Sequence, residues 1–113
     1  MTKYLYTFGY FTPAQWLSNE AHGWDDESSM ALLIVADSSE QALEWGRKLS
    51  EEFVERLFSA SGWTSHVPGW RASRFAHWIE AAPEIVSAVE GSVPTIEYGR
   101  YLDFGELLKG HGL

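Results

Sequence analysis

The chain has 113 residues, no cysteine, and 16 carboxylates against 8 lysines and arginines, for a net charge of −8. That length makes a single domain, residues 1–113, able to bury a core without staples, and the missing cysteine excludes disulfides, a thiolate nucleophile and cysteine-ligated zinc. The acidity repels phosphate backbones, so nucleic acid is excluded as a partner and a basic protein surface is favoured.

The longest apolar run, "MALLIVA" at 30–36, is far too short to span a membrane. "MTKYLYTF" at the start lacks the basic region and long apolar stretch of an export signal. A cytoplasmic protein with no membrane partner is expected.

In "KYLYTFGYF", residues 3–11, four aromatic rings stand on alternate positions: Tyr4, Tyr6, Phe8 and Tyr10. Period 2 is the repeat of a β-strand, so the four rings share one face and Leu5, Thr7 and Gly9 share the other. "TPAQ" follows, with Thr12 as N-cap, Pro13 at the first helical position and Gln15 closing a capping box. A short helix over 13–21 should stop at Gly23 in a left-handed conformation. "WDDESS" at 24–29 reads as a polar loop, and "MALLIVA" as a central strand buried on both faces.

The clearest element is the helix of residues 38–61, capped by Asp37 or Ser38 with Glu40 or Gln41 three residues on, and closed by Gly62. Ala42, Gly46, Leu49, Phe53, Leu57 and Ala60 form one apolar stripe, opposite Glu44, Lys48, Glu51, Glu52 and Glu55. Gly46 sits mid-helix at about 1 kcal/mol relative to alanine, which a close approach of helix to sheet would explain. We expect the slimmer set of Leu5, Thr7 and Gly9 under that helix, with the aromatic set facing the other way. Trp45, at the stripe's edge, belongs to the core. Leu43, Val54 and Phe58 flank the stripe and point to contact with a second element or a second subunit.

Residues 63–73 read as a loop, "RFAHWIEA" at 74–81 as a strand rather than a helix, and 83–91 as a short helix between Pro83 and Gly91. "VPTIEYGRYLDF" at 93–104 reads as a last strand, bent at Gly99, and the tail as a turn or short helix. Together these elements give a two-layer α+β domain, with about four strands in a mixed or mostly antiparallel sheet and the long helix on one face. The connection from strand 30–36 through the helix to a strand near 75–81 suits a parallel crossover, and a ferredoxin-like arrangement is one candidate.

Two readings of the aromatic strand stand. In one it is a core wall, closed by the 63–82 region with Trp63, Trp70 and Trp78. In the other, Tyr4, Tyr6 and Tyr10 join Trp24 and Trp70, loop tryptophans of a kind enriched at interfaces, in a binding face. The division expected between them buries Phe8 and leaves Tyr4 and Tyr10 half exposed at the strand's ends.

His22, His66, His77 and His111 show no metal-ligand spacing, and His77 alone lies in a regular element. Glu20, Asp25, Asp26 and Glu27 lack the ligand pattern of a calcium loop, so no metal and no cofactor is expected. No nucleophile elbow or phosphate-binding loop is present.

The reading that follows is a non-enzymatic protein-interaction domain, an accessory or inhibitor protein of the immunity type, with a homodimer as a further option. Its alternative is a small-molecule-binding domain or modest enzyme with an aromatic pocket around Tyr6, Tyr10 and His77. On charge alone, a gel-shift titration at physiological salt should show no submicromolar binding to DNA or RNA. A salt-dependent shift would overturn that.

Overall fold

The computed structural model describes residues 1–23, 28–62 and 77–109. Tyr, Phe and Thr at alternate positions favour a pleated strand, and β1 runs Thr2–Tyr10. Thr12 then caps α1, Pro13–His22, through the expected box: Gln15 N–H donates to Thr12 Oγ1 at 3.1 Å, and Thr12 N–H donates to Gln15 Oε1 at 3.0 Å. Gly23 ends α1 at φ 69°, where a residue with a Cβ would be strained.

The strand β2, Ser28–Ala36, pairs antiparallel with β1 along its whole length and buries Leu32, Leu33 and Ile34 on both faces. Ser38 caps α2, Ser39–Ala60, by accepting from Gln41 N–H at 3.2 Å. Two short strands complete the sheet. β3, His77–Glu80, pairs antiparallel with β1, and β4, Thr95–Glu97, pairs parallel with β2. The fold is α+β, a four-stranded mixed sheet in the order β3-β1-β2-β4 with one long helix packed across it.

Both β2 and β3 run antiparallel to β1 and flank it, so β2-α2-β3 is a split β-α-β crossover around β1. The short helix α3, Pro83–Val89, links β3 to β4 and rests on the opposite face of the sheet, with Val86 against Leu5 and Leu33. Among the described residues no helix is long and apolar enough to cross a membrane.

The core corrects the expected orientation of β1. The aromatic set, not the slim one, lies under α2: Tyr6, Phe8 and Tyr10 cluster with Leu49, Phe53 and Leu57 of that helix. The wall is therefore closed by α2, with His77 of β3 against Tyr6. Trp63 and Trp70 lie outside the described residues, and Trp78, opposite Thr7, occupies the other face with 46% of its surface exposed.

Tyr10 is also corrected from half exposed to buried, because its ring meets Phe53 edge-on at 5.3 Å. Tyr4 is partly buried and Phe8 fully buried, as expected. The flank residues Val54 and Phe58 are buried too.

The last expected strand is shortened. β4 holds three residues, the chain turns at Gly99 with φ 87°, and Phe104 opens α4, Phe104–Lys109. Arg100 N–H donates back to Glu97 O at 3.0 Å across this turn, so Tyr98 to Asp103 becomes a loop lying on α2.

The fit of β1 to α2 hinges on Gly46. A Cβ there would lie 2.6 Å from Tyr6 Cγ and closer still to Cδ2, so the helix meets the ring only because that position lacks a side chain. Gly46→Leu should therefore overpack the site and destabilise the protein by about 1–3 kcal/mol in chemical denaturation. An unchanged or raised midpoint would contradict the contact.

Candidate functional site: an aromatic loop and cleft on the long helix

Of the residues singled out in the sequence, two come together. Tyr6 Oη lies 3.1 Å from His77 Nδ1 and 3.2 Å from Ser50 Oγ, while the Ser50 hydroxyl donates to Gly46 O at 2.6 Å. A phenol inside a core must keep hydrogen-bond partners, and these supply them. Burial pushes the Tyr6 phenol well above its ordinary pKa, with the Ser50 hydrogen bond opposing.

Burial also lowers His77, helped by the positive charge of Arg47. With its proton on Nδ1 the neutral imidazole donates to Tyr6 Oη, and with its proton on Nε2 it accepts from the Tyr6 hydroxyl at Nδ1. The group works as a tie between β3 and α2, since the Tyr6 ring is closed off from solvent. Tyr10 is buried beside Phe8 and Phe53, Tyr4 packs against the core from the strand's far end, and Trp24 and Trp70 lie outside the described residues. Asp25, Asp26 and Glu27 lie outside them as well. Among the described residues no group of three or more His, Asp or Glu side chains is placed to hold a metal.

Exposed aromatic surface collects elsewhere. Trp45 stands at the edge of the buried stripe of α2, and its indole N–H donates to Arg100 O at 2.8 Å. That bond holds the loop after Gly99 against the helix. Tyr98 and Tyr101, on either side of Arg100, pack on the Trp45 ring at 5.6 Å and 5.3 Å between centroids, the second edge-on at 61°. Tyr98 keeps 38% of its surface exposed and Tyr101 60%. Lys48 Nζ lies 5.9 Å from the same indole.

Next to this cluster, Glu52 and Arg56 of α2 and residues 101–105 enclose an open cleft of about 410 Å³. Arg56 stacks over Phe104 at 4.8 Å and donates to Glu52 Oε1 at 2.9 Å. Asp103 Oδ1 accepts from Glu106 N–H at 3.2 Å and so caps α4. Rings, one paired cation and carboxylates thus share a rim that can stack and pair with an incoming group.

Sequence reasoning missed Tyr98, Tyr101 and the cleft because it ran the last strand through them. The available signal was "EYGRY", two tyrosines on either side of a glycine, which is a turn pattern rather than a strand pattern. Comparison with protein-family models, curated proteins and solved structures gives no match to this chain.

The lowered His77 has a definite pH consequence. As pH falls below about 6.5, the unfolded chain takes up the proton before the native state does. Its contribution to stability is complete above that pH and is lost as the pH falls toward the native pKa. NMR titration of the His77 ring should give a midpoint below 6.5, and His77→Gln should flatten the acid limb of the stability curve. A midpoint above 6.5 would reverse the sign.

Proposed function

We propose that this protein is a cytoplasmic, non-enzymatic protein-interaction domain, an accessory or inhibitor protein of the immunity type, and that it meets a basic partner through the loop 98–104 and the adjoining face of α2. The observation that carries this reading is Tyr101. Its ring is 60% exposed and yet is fixed against Trp45, whose indole is itself bonded to the backbone of the same loop. A large ring held rigid at the surface loses little entropy on binding, and Tyr, Trp and Arg dominate the energetic centres of interfaces. The net charge of −8 supplies attraction toward a basic surface.

The alternative, a small-molecule pocket around Tyr6, Tyr10 and His77, has less support. The rings of Tyr6 and Tyr10 are buried under α2 and offer no face for stacking. A partner protein, by contrast, needs only the outer rim.

Affinity capture from the organism's own lysate, comparing the wild type with the Tyr98→Ala/Tyr101→Ala double variant, tests the proposal. A basic protein retained by the wild type at physiological salt, and reduced about tenfold or more on the variant, is the expected result. The variant should stay folded, with a loss of about 1–3 kcal/mol for the two ring contacts with Trp45. Identical captured sets on a folded variant would sink the assignment of this face.

A further inference from the structure

Two cations of α2 already sit on rings of this surface. Lys48 lies over Trp45 at 5.9 Å, and Arg56 lies over Phe104 at 4.8 Å. Between them stands Tyr101, which meets Trp45 edge-on and also lines the cleft with Arg56 and Phe104. Among the described residues no cation lies over the Tyr101 ring, the most exposed ring of the cluster.

Asp103 lines the same cleft. One of its oxygens caps α4 through Glu106 N–H, which leaves the other for an outside donor. The resident cation, Arg56, is paired with Glu52 at 2.9 Å, and among the described residues no ion pair reaches Asp103.

An electron-rich ring face and a carboxylate in one cleft have a common complement, a planar cation. A guanidinium stacks on the ring through its face and pairs with the carboxylate through its edge, whereas an ammonium does so only as a point charge. An apolar group would desolvate Asp103 and the Arg56–Glu52 pair without replacing their hydrogen bonds. The chain's excess of carboxylates, 16 against 8, favours approach of the same class of partner.

We propose that the Tyr101–Asp103 cleft receives one arginine side chain of a basic partner protein, its guanidinium over the Tyr101 ring and paired with the Asp103 carboxylate. This rests on the protein-interaction reading above and names the chemistry that the partner must present.

The test is an NMR titration of the isotope-labelled full chain with two capped alanine pentapeptides, one with a central arginine and one with citrulline, which keeps the shape and removes the charge. The arginine peptide should shift the amides of residues 100–106 saturably and bind at least about threefold tighter than the citrulline peptide. Tyr101→Ala and Asp103→Asn should each weaken it by about that factor, while Tyr101→Phe, which keeps the ring face, should retain it. Added salt should weaken it further. Asp103→Asn keeps an acceptor for Glu106 N–H, so α4 stays capped.

Equal binding of the two peptides, no binding of either, or shifts centred away from this loop would each overturn the arginine site. Lysate capture that still depends on Tyr98 and Tyr101 would then leave the interaction reading standing without it. Loss of that dependence would remove both.

Discussion

A glycine at the centre of a 22-residue helix is unfavourable by about 1 kcal/mol, yet Gly46 is the point on which the packing turns. The Tyr6 ring fills the space that a side chain at 46 would take. This large-against-small contact sets how closely α2 approaches the sheet and which face of β1 it covers. Once Tyr6 is seated there, Phe8 and Tyr10 follow at the next alternate positions and meet Phe53 edge-on, two turns further along the helix.

Seating a tyrosine rather than a phenylalanine at that point brings a hydroxyl into the core. Ser50, one turn beyond Gly46, and His77, on the edge strand β3, both reach it. The polar atom therefore joins three elements, β1, α2 and β3, where an unpaired one would carry a penalty of about 1–3 kcal/mol. Among the described residues no buried side-chain polar atom lacks a partner. The same bonds occupy the residues that a pocket around Tyr6 would have needed.

The edge of the helix stripe matters for what the protein presents to others. Trp45 buries its ring but has an N–H to satisfy, and it does so on the backbone of a loop far along the chain. That bond, together with Phe104 buried in the core, holds the 98–104 loop on α2 and turns Tyr98 and Tyr101 into a surface. The cleft beside Arg56 and Phe104 is a consequence of the same docking.

Local chemistry determined a good deal from sequence alone. The Thr12–Gln15 box, a cap at Asp37 or Ser38, the left-handed glycine at 23, the glycine that ends α3 at 91 and the twice-buried strand were legible because each depends on residues within a few positions of one another. The α+β class and the long helix were legible for the same reason.

Period 2 in β1 showed which residues share a face, but it is symmetric as to which face receives the helix. The answer lay in a size match between Gly46 and Tyr6, forty positions apart in the chain. The exposed rings at 98 and 101 were hidden likewise, since the loop that carries them is held by a Trp45–Arg100 bond across 55 residues and by Phe104 in the core. Sequence determined the elements and the residues that share a face. Tertiary structure decided which faces meet, because packing compares volumes and hydrogen-bond partners that the chain brings together only when it folds.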